Sequence, residues 1–408
     1  MLKQIGKKSV QWMLKEMAVF LVRLKQPQIV AITGSAGKTT TKEMVWQVLG
    51  GTDAGLSLEK TLGNKNSEFG LPVSIIGFNW TKDIMDWVKN IFVIFPKRLI
   101  KFPKVFVAEM GADKMGDIAY LCKIAPPRIA VITNIGTAHL EKFGTLENTV
   151  QEKGCLIESL SSSGVAILNA DDPHVMGMSG RTKGSIISYG FSENADVRIQ
   201  HISQEGNKLN FELSANNQSV QISMNLLGKH FALGAAAAAA VGISFGLSLS
   251  EISRRLGLFK MAEGRSQLLQ GNSGELVIHD AYNANPASMR AALEAFADME
   301  IEGNKIAVLG DMLELGSAEV SGHKEIGIIL PKSANILLAV GERGKIIADE
   351  AQKTMPADKI YWLPNALVAS TVIKTIVKAG DAVLVKGSKA MKMRKVVEAL
   401  TDYKCSYE

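Results

Sequence analysis

The sequence predicts an α/β protein in which a central parallel-sheet domain, with a small antiparallel β subdomain, is followed by a Rossmann-like C-terminal domain. Short apolar runs alternate with helical patterns along most of the 408 residues, which is typical of a parallel sheet covered by helices. Residues 195–227 instead alternate apolar and polar positions, which predicts antiparallel strands joined by turns. At roughly 100–200 residues per domain the length predicts two or three domains, and 47% hydrophobic residues can fill their cores.

Residues 1–26 are predicted to form a basic amphipathic N-terminal helix. Apolar residues recur at spacings of three and four from Ile5 to Leu24, with lysines and Arg23 between them. Pro27 ends the pattern, because proline lacks the amide hydrogen that a helix interior needs.

The central domain is assigned to residues 27–262. Its first strand, Gln28–Thr33, leads into a glycine-rich loop, Gly34–Thr40, and then into a helix over 41–49. Further apolar runs predict buried strands. These runs are 105–108, 129–132, 165–168 and 185–188.

Phe231–Ser250 contains no charged side chain, and its length alone is that of a membrane span. The run is mostly alanine and glycine, which gain little from contact with lipid. Ser248 and Glu251 also have the spacing of a capping box, which predicts that a new helix begins inside the run. We therefore expect tightly packed helices of small residues here.

The C-terminal domain is assigned to residues 263–408. Apolar strands again alternate with helical stretches, which predicts a Rossmann-like sheet. The predicted strands are 276–279, 306–309, 336–339 and 382–385.

The net charge of +6 is concentrated in two short segments. Residues 1–30 carry six basic residues and one acidic residue, and residues 81–104 carry six basic and two acidic, so the remainder of the chain is acidic. A nucleic-acid partner is not expected, because it would require a basic face on a folded domain. Contact with anionic lipid at the membrane surface is one interpretation, and packing of both segments within the protein is the other.

Three cysteines, Cys122, Cys155 and Cys405, show no CxxC spacing. This argues against a zinc ribbon or a disulfide framework and favours a reducing compartment. The first residues show no secretory cleavage site, so we expect a cytoplasmic protein, with peripheral contact at the inner membrane face as an option.

The loop Gly34–Thr40 predicts a phosphate-binding site. It joins a strand to a helix, where backbone amides and the helix N-terminus can surround a phosphate. Lys38 would neutralise charge on the β- and γ-phosphates, and Thr39 would hold Mg²⁺. An ordinary glycine-rich turn is the alternative. The other nucleotide-binding candidates of the loop are Gly34, Ser35, Ala36, Gly37 and Thr40.

Polar residues follow the other predicted strands of this domain. Glu109 and His139 each come after an apolar strand, at the edge where parallel sheets form ligand sites. Glu109 is expected to bind Mg²⁺, with a surface carboxylate as the alternative. His139 has either a metal or phosphate role or a structural one. From the residues alone, Lys153 on the next helix is interpreted as a solvated lysine.

These motifs together resemble the Mur ligases and, within them, the MurF type, the UDP-N-acetylmuramoyl-tripeptide–D-alanyl-D-alanine ligases. The glycine-rich loop is common to all Mur ligases and folylpolyglutamate synthases, whereas YNANP and LGDMLELG select the MurF type. The matching stretches are 33–44, 109–111, 133–139, 168–172, 280–289, 309–316 and 385–393.

The resemblance implies a monomeric, ATP-dependent peptide ligase of peptidoglycan precursor synthesis. It would join D-alanyl-D-alanine to a UDP-N-acetylmuramoyl-peptide through an acyl phosphate, using ATP and two Mg²⁺ ions and no Ser or Cys nucleophile. The residue roles that it implies are these: Lys38, His139 and Lys153 are catalytic, Thr39, Glu109, His139 and a carbamylated Lys153 bind metal, and Arg265, Asp280 and Asn285 contact the nucleotide.

Three features depart from the family pattern, and one of them is that Phe231 and Gly234 follow residues 228–230 where the family commonly has Asn. The first domain of the family, which holds the UDP group, is not found in the roughly 30 residues before the glycine-rich loop. Residues 80–104 form an insertion rich in Trp, Phe and Lys where a short loop is expected. The alternatives are therefore a membrane-associated ATPase or scaffold without ligation, and a related ligase with another amino-acid donor.

Overall fold

Two β-sheets organise the part of the chain that the structure describes, and the α/β fold class is confirmed. The computed structural model describes residues 2–51, 57–63, 65–78, 86, 89–136, 143–206, 208–261 and 263–405, and the side chains from residue 8 onward. Part of the predicted insertion, at 80–85 and 87–88, lies outside the described residues.

The central domain alternates strands with helices, as its apolar runs predict. Its strands are β1 (Gln28–Thr33), β2 (Leu58–Lys60), β3 (Val105–Glu109), β4 (Ile129–Ile132), β5 (Val165–Asn169), β6 (Ser185–Gly190), β7 (Val197–Glu205), β8 (Lys208–Ala215) and β9 (Gln218–Met224). Its described helices are α1 (Leu2–Lys25), α2 (Lys38–Val48), α3 (Gly70–Ile76), α4 (Phe95–Ile100), α5 (Asp117–Ile124), α6 (Leu146–Glu158), α7 (Pro173–Met176), α8 (Phe231–Ser244) and α9 (Leu249–Gly257). The described part of the domain also contains a π-helix (Asn90–Ile94) and a 3₁₀-helix (Ser179–Arg181).

The described strands of this domain form one sheet in the order β2-β3-β1-β4-β5-β6-β7-β8-β9. The pairs from β2 to β7 are parallel, and β7, β8 and β9 are antiparallel. The antiparallel strands lie in the central domain, as predicted for residues 195–227, and the pairing of β7 with β6 makes them an extension of the large sheet. Asn216 and Asn217 both have positive φ (51° and 60°), which suits the tight turn between β8 and β9.

Helices cover both faces of the parallel part. One face packs against α2, α8 and α9, and the other against α1, α3, α5 and α6. The β1 residues alternate between the two cores, with Val30 and Ile32 in the first and Ile29 and Ala31 in the second. The first core face is where the uncharged run packs.

The uncharged run forms α8 and the start of α9, where Ser248 accepts a hydrogen bond from the Glu251 amide. Its small residues let α8 lie close to α2: a Cβ placed on Gly242 would be 2.8 Å from Val48 Cγ1 and 3.0 Å from Ile252 Cδ1. Among the described residues, no helix is both long and apolar enough to cross a bilayer.

The C-terminal domain has the expected Rossmann-like alternation. Its strands are β10 (Gln267–Gln270), β11 (Leu276–Asp280), β12 (Lys305–Gly310), β13 (Ile336–Val340), β14 (Ile360–Leu363) and β15 (Ala382–Lys386), in the order β10-β11-β15-β12-β13-β14. Its helices are α10 (Pro286–Ala297), α11 (Glu319–Ile329), α12 (Gly344–Ala351), α13 (Ala366–Ile376) and α14 (Arg394–Leu400), with 3₁₀-helices Gly316–Ala318, Leu330–Lys332, Ala357–Lys359 and Lys389–Met391. β10 is antiparallel to β11, and the other pairs are parallel.

A leucine at Gly242 should destabilise the protein, because the α8–α2 contact leaves no room for a side chain. We expect Gly242→Leu to lower the free energy of unfolding by about 2 kcal/mol in urea denaturation. Ser250→Leu, on the exposed side of α9, is the matched control and should change stability by less than about 0.5 kcal/mol. Equal stabilities of the two variants would contradict the close packing of α8.

Candidate active site

The glycine-rich loop lies between the end of β1 and the start of α2. Gly37, immediately before α2, has φ +78°, a conformation that other residues rarely adopt. Gly34 has φ +151°, and a Cβ at this position would collide with the Thr133 hydroxyl. The loop conformation therefore depends on glycine at both positions, and it places the N-terminus of α2 toward the cleft.

The segment after β4 holds this loop in place. The Ser35 amide donates to the Asn134 carbonyl (2.9 Å), and the Ala36 amide donates to Asn134 Oδ1 (2.8 Å). The Thr133 hydroxyl donates to the Ala36 carbonyl (2.6 Å), and the Gly136 amide donates to Ser35 Oγ (2.9 Å). The loop is thus preorganised by direct contacts with the neighbouring strand end.

The Lys38 ammonium lies over the loop and donates to the Gly34 carbonyl at 2.8 Å. Burial in the cleft lowers the pKa of Lys38, with Glu109 acting in the opposite direction and Arg265 adding to the decrease. A cation that has lost part of its hydration is strongly attracted to a phosphate, because the low local dielectric strengthens the interaction.

Glu109, at the end of β3, is buried, with 2% of its surface exposed. Asn66 donates to its Oε1 at 2.8 Å, whereas Oε2 is buried without a hydrogen-bond partner. Within the described ranges its ion-pair partner is Lys42, whose Nζ is 3.6 Å from Oε2. A buried carboxylate oxygen without a donor is costly unless a cation completes its environment, so this position fits a Mg²⁺ ligand.

Lys42 is a residue that the sequence analysis did not single out. Its ammonium is fully buried and donates to the carbonyls of Thr61 (3.0 Å) and Gly63 (2.8 Å). It therefore holds the segment after β2, which also carries Asn66, against the Glu109 carboxylate. The T-x-G-N-x-N pattern of residues 61–66 was the available sign of this segment in the sequence.

The interpretation of Lys153 as a solvated lysine is wrong. The side chain lies on α6 and is 2% exposed, and no hydrogen bond or ion pair of its ammonium is found in the described part of the chain. Burial, together with the positive charge of Lys38, lowers its pKa to about 7. The adjacent Glu152 instead accepts from the Gly116 and Ile118 amides at the start of α5. Lys153 is therefore a buried, readily neutralised amine in the cleft.

Arg265 reaches across from the C-terminal domain. Its Nη2 donates to Thr39 Oγ1 at 3.2 Å, and its guanidinium lies 4.5 Å from the centre of the Tyr282 ring. The stacking fixes the guanidinium plane, so a cation of one domain is held beside the glycine-rich loop of the other.

Asp280 and Asn285 make their hydrogen bonds within the C-terminal domain. Asp280 forms an ion pair with Lys386 (2.6 Å) and accepts from the Ser266 amide. Asn285 caps α10, accepting from the Ser288 amide at 2.8 Å. Both residues line the cleft, and Lys386, which sequence analysis missed, is the buried partner that orients Asp280.

A cavity of about 780 Å³ lies between the two domains. The sequence-predicted residues that line it are Ser35, Ala36, Gly37, Lys38, Thr39, Thr40, Glu109, Lys153, Arg265, Asp280 and Asn285. Gly34 is not among the lining residues and instead lies against Thr133. The prediction for His139 falls outside the described residues. Within those residues, no group of three or more His, Cys, Asp or Glu side chains could hold a metal.

The 311–316 loop, which follows β12 and belongs to the LGDMLELG motif, makes its hydrogen bonds within its own domain. Asp311 accepts from the Gly344 amide (2.8 Å), and the Met312 amide donates to His323 Nε2 (3.0 Å). The Leu313 amide donates to Ser388 Oγ (2.8 Å), so this loop braces the end of β15.

Comparison with protein families gives two matches: the Mur ligase middle domain over residues 32–242, and the Mur ligase glutamate ligase domain over residues 264–389. The UDP-N-acetylmuramoyl-tripeptide–D-alanyl-D-alanine ligase of Bacillus subtilis is 33% identical over 377 residues, 92% of this chain and 76% of the relative. The enzyme of that name from Escherichia coli is 31% identical over 98% of this chain and 83% of its own length.

Solved structures show the same similarity. A MurF structure from Acinetobacter baumannii superimposes with a TM-score of 0.81 at 28% identity, over 96% of this chain and 81% of the other. MurF ligase from Thermotoga maritima in complex with ADP gives a TM-score of 0.79 at 28% identity, over 95% and 83%. A folylpolyglutamate synthase from Mycobacterium tuberculosis, at 16% identity and a TM-score of 0.71, shares the fold, with 94% and 95% of the two chains covered.

Removal of the Lys42 ammonium should destabilise the protein before any ligand binds. Lys42→Met leaves two buried carbonyls and the Glu109 carboxylate without their cation, and we expect a loss of about 3 kcal/mol in urea denaturation. Lys123→Met, at an exposed lysine of α5, is the control and should leave stability within about 0.5 kcal/mol. If the Lys42→Met variant were as stable in urea as the unsubstituted protein, the Lys42 ammonium would not be a support of the site.

Proposed function

The chain belongs to the Mur ligase family, and from this premise we propose that it is an ATP-dependent ligase that joins D-alanyl-D-alanine to a UDP-N-acetylmuramoyl-tripeptide in peptidoglycan precursor synthesis. The observation that carries the proposal is the convergence of Lys38, Glu109 and Lys153 in one cleft, with Arg265 entering from the second domain. The relatives of this name, at 31% and 33% identity over most of the chain, support the substrate class.

An amine cannot displace an oxide ion from the carbon of a carboxylate, so a better leaving group is needed. Transfer of a phosphoryl group from ATP to the carboxylate supplies phosphate as that leaving group. The terminal carboxylate of the tripeptide attacks the γ-phosphate, forming a C–O–P bond as the bond to ADP breaks. The amine of D-alanyl-D-alanine then attacks the acyl carbon, loses a proton, and inorganic phosphate leaves. These steps require positioning and charge neutralisation rather than a protein nucleophile.

The described residues fit these two requirements. The preorganised loop and the N-terminus of α2 receive the phosphates, and Lys38 stabilises the negative charge that develops during transfer. We propose that Arg265, Asp280 and Asn285 contact the nucleotide from the C-terminal side. Arg265 is already oriented by Tyr282 for this task.

We propose that Mg²⁺ is bound by oxygen atoms of Glu109 (Oε2), Thr39 (Oγ1) and a modified Lys153. His139 is proposed as a further ligand. When bound, Mg²⁺ would neutralise charge on the phosphates of ATP. The buried, unpartnered oxygen of Glu109 is the feature of the chain that suits a cation.

We propose that Lys153 is carbamylated. The ammonium first loses one proton. The neutral amine then attacks CO₂, an N–C bond forms and a second proton is released, so that a cation is replaced by an anion with two oxygen donors. The low pKa supplies the neutral amine near pH 7, and burial shields the product from water. The anion would also convert the repulsion between Lys153 and Lys38 into an attraction.

The residues proposed for catalysis come from one chain, so a monomer suffices. The three cysteines are free, which agrees with the reducing cytoplasm that we propose as its location.

Lys38→Ala should abolish ligation while the fold is retained. Loss of one cation at a transferring phosphate costs several kcal/mol, so we expect kcat/KM to fall at least about a thousandfold. ADP release and ligated product are measured with UDP-N-acetylmuramoyl-tripeptide and D-alanyl-D-alanine, and Lys183→Ala, at an exposed position, is the control. Near-normal turnover of a folded Lys38→Ala variant would contradict the assignment of the phosphate site. ADP release by the unsubstituted protein that does not depend on either substrate would favour an ATPase without ligase activity.

Lys153→Ala should be inactive and partly restored by acetate or formate, which can replace the carbamate oxygens. In the unmodified protein, bicarbonate should raise activity, and this gain should grow from pH 6 to pH 8, because the amine must lose its proton before it reacts and its pKa is about 7. The restored variant should lack that bicarbonate response. Full activity of Lys153→Ala without added anion would rule out the carbamate.

A further inference from the structure

Two helical elements on one side of the central domain turn large apolar side chains outward. On α1 these are Trp12, Phe20 and Leu24, which are 65%, 52% and 54% exposed and follow helical spacing. Near α4 they are Phe92, Val93 and Ile100, at 74%, 42% and 85%. We call these six side chains the apolar face.

The inner sides of the same elements are packed, so the outward side chains are not left over from loose folding. On α1, Leu14, Ala18 and Leu21 are buried in the core under α3. On α4, the Arg98 guanidinium donates to the Ile75 carbonyl at 2.8 Å and makes two hydrogen bonds with Glu59 at 2.7 Å. The packing of its inner side therefore fixes the rotation of each element about its axis, so that the side chains of the apolar face point toward solvent.

The strand register brings the two elements together. α1 ends three residues before Gln28 of β1, and α4 ends five residues before Val105 of β3. Gln28 and Val105 are paired in neighbouring parallel strands, and the Gln28 amide donates to the Lys104 carbonyl at 2.8 Å. Both helices thus end side by side at the amino edge of the sheet, whereas the cleft lies at its carboxyl edge.

The charge around the apolar face is mainly positive. Lys97, Lys101 and Lys104 are exposed beside Ile100, and residues 89–104 contain no acidic residue. Arg23 is exposed beside Leu24, and the one acidic residue of α1, Glu16, is 3.4 Å from the ammonium of Lys15. Large apolar and aromatic groups bordered by lysine and arginine suit the interface of an anionic bilayer, where the rings enter the headgroup region and the cations meet lipid phosphates.

We propose that the apolar face and its bordering lysines dock the protein on the surface of an anionic membrane. The occupant is the bilayer surface, and the charge complementarity just described selects it over a neutral one. Docking at the amino edge of the sheet leaves the cleft open to soluble substrates. The inference concerns a different part of the molecule from the cleft, so it stands or falls independently of the proposed ligase activity.

The test is co-sedimentation of the full chain with vesicles of 30% phosphatidylglycerol and 70% phosphatidylcholine. We expect binding at 50 mM salt, a fall of at least tenfold in the partition coefficient at 500 mM salt, and weak binding to pure phosphatidylcholine. Phe92→Ser/Ile100→Ser and Lys97→Glu/Lys101→Glu should each weaken binding at least tenfold. Melting curves and ATP hydrolysis should match those of the unsubstituted protein, since none of these residues belongs to the core or the cleft.

The matched controls lie on α13 of the C-terminal domain, where Leu367 is 61% exposed and Lys374 is also exposed. Leu367→Ser and Lys374→Glu should bind vesicles like the unsubstituted protein. Equal recovery in the supernatant with and without anionic vesicles would overturn the proposal. Light scattering could instead show a dimer that Phe92→Ser/Ile100→Ser abolishes, with no binding to vesicles. That result would assign the apolar face to a second copy of the chain and would also overturn the proposal.

Discussion

The positions of the other groups of the site depend on the contact between the glycine-rich loop and the segment that follows β4. Gly34 has no Cβ, so the Thr133 hydroxyl can reach over the loop to the Ala36 carbonyl. This contact places the N-terminus of α2 and the Lys38 side chain at the carboxyl edge of the sheet. Every other group of the cleft is arranged around that position: Glu109 on β3, Lys153 on α6, and Arg265 from the second domain.

The cleft contains buried charges whose partners within the chain are incomplete. Glu109 has one oxygen without a donor, and the Lys153 ammonium has no partner within the described residues. Such groups cost free energy in an empty cleft, because desolvation is not repaid by pairing. Phosphates, cations and a carbamate would each repay part of that cost, so the cleft is electrostatically prepared for a nucleotide and its metal. Lys42 and Lys386, in contrast, each donate two hydrogen bonds within the chain and keep the carboxylates Glu109 and Asp280 in place.

Sequence patterns predict most of the parallel strands, because strands buried on both faces must be continuously apolar, as in 105–108 and 129–132. They miss β2, β10 and β14, since Leu58–Lys60 and Gln267–Gln270 are short and bear polar ends, and Ile360–Leu363 lies at a sheet edge. The glycine-rich loop and Glu109 could be located from their places after strands. The burial of Lys153 and the support from Lys42 could not, because both depend on which distant segments pack over α6 and α2. The N-terminal helix shows why a basic amphipathic pattern left two interpretations open: one side of α1 packs under α3, and the other remains exposed.

The central claim is that the cleft brings an acceptor carboxylate to the γ-phosphate of ATP and then an amine to the acyl phosphate. Isotope transfer measures this step directly. With both oxygens of the terminal tripeptide carboxylate labelled with ¹⁸O, and D-alanyl-D-alanine and ATP present, mass spectrometry should find one ¹⁸O in each phosphate released and one in the new amide. Unlabelled phosphate released in ordinary water would contradict the account, because it would show that water, and not the carboxylate, attacks ATP in this cleft.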